Sequence, residues 1–256
     1  MWRVALAVIL LVTVCGCSGN TTDSMDTTEP WDLVWFSDST GFGIAELWGE
    51  RIEQELGVEV RVHDKSAGGL PAATVLGWIE DGDSSLPILR ETLAEAEVVV
   101  VFGNPRQSGY AGDEGTCVSS SVFPRDPPMH YTEEDWAPYR DVLHSIFEAV
   151  FDLRDGQPTI VRAMDMYNPV IADWREAGID EECMAAWEVF SESIRAAAAE
   201  YDVPTASMFD AFNGPDHTED PREKGFIGAD KMHTTDEGQA AMVEVLHALG
   251  YDPIGG

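Results

Sequence analysis

Three side chains of this sequence have the chemistry of a nucleophile, a base and an orienting acid. Ser39 lies in a short Ser/Asp/Thr/Gly segment that follows an apolar run, and Asp230 and His233 lie close together near the C-terminus. The Asp-x-x-His spacing lets a carboxylate and an imidazole leave one loop together. A serine hydroxyl in contact with such a pair becomes a nucleophile for acyl transfer, because the histidine accepts its proton and the aspartate orients the histidine.

The segments that must position these side chains alternate between predicted strands and predicted helices. Short apolar runs rich in strand formers predict five strands, at residues 32–36, 58–62, 98–102, 158–163 and 204–209. Segments with helical spacing or length predict helices at residues 42–56, 71–79, 86–96, 139–153, 181–201 and 235–249. Thr234 and Glu237 stand at capping-box spacing before the last of them. This alternation predicts an α/β fold, a parallel sheet with helices on both faces.

The polar residues of interest follow successive predicted strands. Ser39 comes after the first strand, Gly69 after the second and Asn104 after the third. Active sites of open parallel sheets lie beyond the carboxyl ends of the strands, so we expect these residues to meet there. The segment 103–135 is rich in Pro, Gly and Ser, and a connection of that length predicts a lid or a substrate wall.

The chain resembles one known family in the order of four residues: Ser39, Gly69, Asn104 and His233. This order is similar to that of the SGNH hydrolases, also called GDSL esterases and lipases. The resemblance extends over residues 35–246, and the segment 230–233 matches the family's Asp-x-x-His block. No single motif is specific, but four motifs in the right order after the right strands are hard to obtain by chance.

Three residues depart from the family's motifs. Ser37 stands where glycine is usual in the Gly-Asp-Ser block, and Phe102 and Pro105 replace a glycine and an aspartate in the Gly-x-Asn-Asp block. The block after the second strand contains two adjacent glycines, Gly68 and Gly69. We prefer Gly69 as the glycine whose backbone N–H faces the site.

The resemblance implies a flavodoxin-like three-layer α/β/α sandwich with a five-stranded sheet, and hydrolysis of carboxylic esters. It implies that Ser39 is the nucleophile, His233 the base and Asp230 its orienting acid. The implied oxyanion hole consists of the Ser39 N–H, the Gly69 N–H and the Asn104 side-chain amide. The chemistry implied needs neither a metal nor an organic cofactor.

The sequence leaves the substrate and two other functions open. Short acyl or acetyl esters, including those of saccharides, fit the expected chemistry, and Trp136 and Trp174 are candidates for a sugar-stacking surface, although core packing explains most tryptophans. A non-catalytic carbohydrate-binding lipoprotein on the same fold is one alternative, which the three departures allow. An O-acyltransferase, which shares the triad, is the other.

The N-terminus has the pattern of an export signal. A basic start and a short apolar run predict a signal peptide at residues 1–16, because the run is too short for a membrane span. Cys17 then fits lipidation, with cleavage as an ordinary secretory signal as the alternative. Residues 17–30 are polar and predict a flexible tether before the domain at 31–256. These features predict an extracytoplasmic, cell-envelope lipoprotein or a secreted protein.

The charge and the cysteines limit the partners. The chain carries 47 acidic and 15 basic residues, a formal net charge of −32, which disfavours nucleic acid and anionic membrane surfaces as partners. We expect contact with the membrane only through the lipid, and we expect a monomer. Cys117 and Cys183 are candidates for a disulfide, since export tolerates one, and the alternative is a pair of thiols.

Overall fold

A computed structural model of the chain describes residues 29–80, 88–105 and 133–254. The predicted signal peptide, the lipidation site Cys17 and nearly all of the predicted tether lie outside these residues. The same holds for most of the segment 103–135, including Cys117, so the prediction of a lid is not addressed by the described part of the chain.

A parallel sheet forms the centre of the fold. Its strands are β1 (Trp31–Phe36), β2 (Val60–Asp64), β3 (Val98–Val101), β4 (Ile160–Met164) and β5 (Thr205–Ala206). They pair in the order β2-β1-β3-β4-β5, all parallel, which is the flavodoxin-like order. All four valines of β3 are buried, as expected for a strand covered on both faces.

Helices cover both faces of the sheet and complete a three-layer α/β/α sandwich, which confirms the predicted fold class. They are α1 (Ile44–Leu56), α2 (Ala72–Glu80), α3 (Leu89–Glu95), α4 (Glu133–Arg154), α5 (Ile171–Ala177), α6 (Asp180–Ala199), α7 (Met208–Asn213) and α8 (Asp236–Ala248). Helix α1 packs on α8, and α4 packs on α2, α3 and α6. A short 3-10 turn, Ser39–Gly41, follows β1.

Several predicted boundaries differ from the structure, and two of the differences have an identifiable local cause. The strand predicted at 204–209 is only two residues long, because the Ser207 side chain accepts a hydrogen bond from the Asp210 N–H and starts α7. The predicted strand 58–62 lies two residues later, at Val60–Asp64. Helix α1 begins at Ile44 rather than at residue 42, because Gly43 adopts a left-handed conformation with φ of 77°.

The cap of α8 is one residue later than predicted. The Thr235 side chain accepts the hydrogen bond of the Gly238 N–H at 3.1 Å, so the pair predicted at Thr234 and Glu237 is wrong. Thr234 instead pairs with Ile227 in an antiparallel bridge. This shift matters for the site, because the bridge precedes α8 directly and closes the loop that carries His233.

Trp136 and Trp174 are both only 1% exposed, so the suggestion that they form a sugar-stacking surface is wrong. Trp136 packs on Tyr139 and Phe190, and Trp174 packs on Trp187. Both indoles therefore contribute to the core.

Two further observations concern the predictions about export. Cys183 is fully buried and disulfide-bonded, while its predicted partner Cys117 lies outside the described residues. Of the helices that the structure describes, none is both long enough and apolar enough to cross a membrane.

Candidate active site

The nucleophile candidate is held by a turn at the carboxyl end of β1. The Asp38 Oδ1 atom accepts hydrogen bonds from the Thr40 N–H at 2.8 Å and from the Thr40 hydroxyl at 2.6 Å. Asp38 and Thr40 are buried, whereas Ser39 between them is partly exposed. The buried carboxylate therefore fixes the turn, and the turn presents Ser39 at the sheet edge.

The Asp-x-x-His segment is a closed loop in front of α8. The Gly228 N–H donates to the His233 carbonyl at 2.8 Å, which closes the loop at its base. The Asp230 Oδ1 atom accepts the backbone N–H groups of Met232 and His233, both at 3.0 Å. Lys231 adopts a left-handed conformation with φ of 65°. One carboxylate thus organises the backbone of the residues that follow it.

The imidazole of His233 joins the two segments. Its Nε2 atom lies 2.9 Å from the Ser39 Oγ, and its Nδ1 atom lies 2.7 Å from the Asp230 Oδ2. The three side chains thus form one hydrogen-bonded chain, although Ser39 and His233 are 194 residues apart in the sequence. This hydrogen-bonded chain can move a proton from the serine hydroxyl to the imidazole while the carboxylate stabilises the cation that forms.

Asp230 is held in its ionised form. The Met232 N–H, and then the imidazole and N–H of His233, lower the pKa of Asp230 from 3.8 to about 2. Because the folded-state pKa is the lower one, this stabilisation is present above about pH 4 and is lost as the pH falls towards 2. The carboxylate is 54% exposed, so solvent screens the effect on stability. At neutral pH the His233 Nδ1 therefore faces an anion.

The loops after β2 and β3 are joined to this turn through their backbones. The Ala67 N–H donates to the Ser37 carbonyl at 3.1 Å, which places the Gly-Gly turn beside β1. Asn104 donates its N–H to the Leu70 carbonyl at 3.0 Å and accepts the Ala72 N–H at 2.9 Å. The three connections that follow β2, β1 and β3 therefore form one continuous rim.

Asn104 is buried and directed towards the serine turn. Its Nδ2 donates to the Asp38 Oδ2 at 3.1 Å, and this bond uses one of the two amide hydrogens. Phe102 and Pro105, the two departures beside it, are buried as well, and the Phe102 N–H donates to the Phe36 carbonyl. Phe102 thus belongs to the hydrophobic core, Pro105 is buried beside it in sequence, and Asn104 remains bonded to the residue before Ser39.

The two glycines after β2 form a turn closed by the Leu70 N–H and the Ala67 carbonyl. Gly69 has φ of 60°, a conformation that glycine adopts without strain. Within the described ranges, the backbone N–H groups of Ser39, Gly68 and Gly69 donate to no protein oxygen. All three are therefore available to a bound group.

Known proteins of similar sequence and structure are lipases and esterases. No family model matches the chain. The spore germination lipase LipC of Bacillus licheniformis is 20% identical over 220 residues, which cover 84% of this chain and 89% of LipC. The lipase Lip_vut3 from a goat rumen metagenome superposes with a TM-score of 0.62 at 16% identity, over 88% of this chain and 99% of that one. A variant of Axe2, an acetyl xylan esterase from Geobacillus stearothermophilus, gives 0.56 at 12% identity, over 88% and 97%.

This chain has the SGNH hydrolase fold. The sheet order, the three-layer architecture and the coverage of nearly whole chains agree on it, as the order of the motifs along the sequence predicts.

Behind the His233 loop of this SGNH hydrolase fold lies a buried tyrosine that the sequence did not indicate. The Tyr167 hydroxyl donates to the Met232 carbonyl at 3.0 Å, and its ring stacks on Phe212 at 4.6 Å. Burial raises the pKa of Tyr167 well above its usual value, so it stays a neutral donor. Lys231 adds an ion pair of 3.5 Å to Asp173 of α5. The loop that carries the acid and the base is thus supported from the β4 side.

A pocket of about 370 Å³ opens beside Ser39, and its lining combines polar and apolar residues: Ser39, Phe42, Gly68, His233, Thr234 and Gln239. Phe42 is 45% exposed, and the Gln239 amide donates to its carbonyl at 3.1 Å. Sequence reasoning assigned Phe42 to the start of a helix and missed both residues. The available signal was an aromatic residue three positions after the candidate nucleophile.

Proposed function

We propose that this protein is a serine ester hydrolase that cleaves carboxylic esters of small uncharged alcohols or of saccharides. One observation carries the proposal. His233 lies within hydrogen-bond distance of Ser39 on one side, at 2.9 Å, and of Asp230 on the other, at 2.7 Å. That geometry is the one a serine needs to become a nucleophile at neutral pH.

In the first step the Ser39 Oγ forms a bond to the ester carbonyl carbon. His233 Nε2 takes the hydroxyl proton as the bond forms, and the ionised Asp230 stabilises the imidazolium. The electron pair of the carbonyl bond moves to its oxygen. A tetrahedral intermediate with one negative charge results.

Three donors from the rim are proposed to hold that negative oxygen. They are the Ser39 N–H, the Gly69 N–H and the Asn104 side-chain amide. Gly68 lines the pocket, and the peptide bond that joins it to Gly69 carries the Gly69 N–H. The bond from Asn104 to Asp38 orients the amide beforehand, so little reorganisation accompanies the reaction.

The intermediate collapses when the alcohol leaves. The oxygen of the alcohol takes the proton from His233 Nε2 as its bond to the former carbonyl carbon breaks. An ester between the acyl group and Ser39 remains. A water molecule then gives a proton to Nε2 and attacks this ester through a second tetrahedral intermediate. The carboxylic acid leaves, and Ser39 regains its proton.

The substrate class is proposed from the site and from the names of the similar proteins. Uncharged esters are favoured, because the ionised Asp230 and the exposed Asp236 and Glu237 of the first α8 turn would repel an anion. One similar structure belongs to an acetyl xylan esterase and another to a lipase, which supports acetylated saccharides and short acyl esters as the first compounds to test.

We further propose that the enzyme acts outside the cytoplasm, held by a lipid on Cys17. This proposal depends on the sequence of residues 1–30. The disulfide at Cys183 supports it, because structural disulfides persist in oxidising compartments.

A fluorophosphonate probe and a panel of esters test the activity together. We expect the purified protein to hydrolyse neutral acetyl esters and to carry the probe on Ser39, mapped by peptide mass. Loss of labelling in His233→Ala would show that the imidazole activates the serine. A folded protein with neither labelling nor hydrolysis would contradict the proposal and favour the carbohydrate-binding alternative, whereas acyl transfer to an added alcohol in preference to water would indicate an acyltransferase.

Asn104 provides a separate prediction for the oxyanion hole. Asn104→Ala is expected to lower kcat by about 10²-fold, because one preorganised donor to the oxyanion is lost. Steady-state kinetics of a neutral acetyl ester measures this, with KM expected to change little.

Thr159→Ala is the matched control for this prediction. It also removes a buried hydrogen bond, the one from the Arg154 Nε to the Thr159 hydroxyl, but at the amino end of β4. The control should lower stability without lowering kcat of the folded enzyme. An unchanged kcat in Asn104→Ala would remove Asn104 from the oxyanion hole.

A further inference from the structure

We infer that the pocket beside Ser39 receives the alcohol part of the ester and that Phe42 determines which alcohols bind well. The inference rests on the proposed esterase function and adds a subsite to it. The subsite is lined by six residues: Ser39, Phe42, Gly68, His233, Thr234 and Gln239.

The exposure of Phe42 is the first observation. Two large hydrophobic side chains are exposed among the described residues, Phe42 at 45% and Ile88 at 64%. Of these two side chains, only Phe42 lines the pocket beside Ser39. An exposed aromatic face at a concave site gains free energy when a ligand covers it, because apolar surface leaves water.

The position of Phe42 is fixed from both sides. Its carbonyl accepts the Gln239 amide at 3.1 Å, which ties it to α8, and its N–H donates to the Ser39 carbonyl at 3.5 Å, which ties it to the nucleophile turn. These two bonds hold the Phe42 backbone next to the nucleophile turn. A backbone held in this way limits the positions of the ring, which lowers the entropy cost of covering it with a ligand.

The side of Ser39 on which the alcohol must leave indicates that the pocket binds the alcohol. His233 Nε2 must give its proton to the alcohol oxygen, so the alcohol departs on the imidazole side of Ser39. His233 and Thr234 both line the pocket that opens beside Ser39. The proposed oxyanion donors Gly69 and Asn104 come from the connections after β2 and β3, and Gly68 beside Gly69 also lines the pocket. With the alcohol in this pocket, we expect the acyl group to lie outside it.

The chemistry of the walls indicates an uncharged alcohol with an apolar face. The Phe42 ring offers stacking, while the Thr234 hydroxyl and the Gln239 carbonyl oxygen hold no hydrogen-bond partner among the described residues and can pair with ligand hydroxyls. Benzyl alcohol is an uncharged alcohol with an apolar ring that can cover Phe42. Methanol lacks such a group and serves as the reference alcohol.

Two ester series separate the alcohol from the acyl group. We would measure kcat/KM for benzyl acetate and methyl acetate, and for ethyl hexanoate and ethyl acetate, with the wild type, Phe42→Ala and Ile88→Ala. In Phe42→Ala the benzyl-to-methyl ratio should fall about tenfold, mainly through KM, as expected for loss of an apolar contact. The hexanoate-to-acetate ratio should change less than twofold. Ile88→Ala should leave both ratios as in the wild type.

Each other outcome has a distinct meaning. An unchanged benzyl-to-methyl ratio in Phe42→Ala would overturn the subsite while leaving the esterase function intact. A fall in the hexanoate-to-acetate ratio instead would place the acyl group in this pocket and overturn the assignment to the alcohol. Absence of hydrolysis of all four esters by the wild type would count against the proposed function itself. Phe42→Leu, which keeps apolar volume but no ring, should give an intermediate benzyl-to-methyl ratio.

Discussion

Ser39→Ala is expected to lower kcat for ester hydrolysis by about 10⁴-fold or more while the fold stays intact. The substitution removes the oxygen that lies 2.9 Å from His233 Nε2 and leaves the rest of the hydrogen-bonded chain in place. Ser39 is partly exposed, and among the described residues its hydroxyl hydrogen-bonds only to His233, so little stability should be lost. Single-turnover and steady-state kinetics with one acetyl ester measure the effect, and circular dichroism checks the fold.

Ser37→Ala is the matched control for this result. Ser37 lies two residues earlier, and its buried hydroxyl has no hydrogen-bond partner among the described residues, so its loss should leave kcat near the wild-type value. Residual activity in Ser39→Ala close to that of Ser37→Ala would mean that another group is the nucleophile. A fluorophosphonate adduct elsewhere in the chain would then identify it.

The positions of the active-site candidates could be predicted because these residues directly follow the carboxyl ends of strands. In a parallel sheet the carboxyl ends of all strands meet at one edge, so residues that follow β1, β2 and β3 are brought together whatever the details of the helices. Ser39, Gly69 and Asn104 follow these strands. The Asp-x-x-His spacing then adds the base, because a carboxylate and an imidazole three residues apart can leave one short loop together.

What the sequence did not reveal depends on contacts between distant residues. Tyr167 supports the His233 loop through the carbonyl of Met232, and no periodicity indicates such a bond. The exposure of Phe42 follows from Gly43 starting α1 later than predicted, which leaves the ring outside the helix. The fifth strand is short because Ser207 caps a helix, a local competition that strand propensity alone does not resolve.

Asp38 links the turn that carries the nucleophile to Asn104. Its Oδ1 atom organises the Ser39 turn through Thr40, and its Oδ2 atom holds the amide of Asn104. A single buried carboxylate therefore fixes the nucleophile relative to a proposed oxyanion donor. The family's motif places aspartate at this position, and here it bonds to the turn and the donor, while the chemical steps belong to Asp230 and His233.

Asp230→Asn is expected to lower kcat by about 10³-fold, because an amide in this place selects the wrong imidazole tautomer. The carboxylate requires a proton on His233 Nδ1, which leaves Nε2 as the acceptor that faces Ser39. An asparagine can keep its oxygen on the N–H groups of Met232 and His233, and it then presents an NH₂ group to Nδ1. Nδ1 becomes an acceptor, Nε2 carries the proton, and the serine loses its base.

The exposure of Asp230 sets the size of this effect. The carboxylate is 54% exposed, so water can partly replace it, and we expect a loss smaller than for the serine. Glu244→Gln is the matched control, since it removes one exposed charge from α8 without contacting His233 and should leave kcat unchanged. A wild-type kcat in Asp230→Asn would mean that the imidazole needs no acid to orient it. Slow labelling of the variant by the fluorophosphonate, with the hydrogen-bonded loop intact, would instead place the loss in the proton transfer.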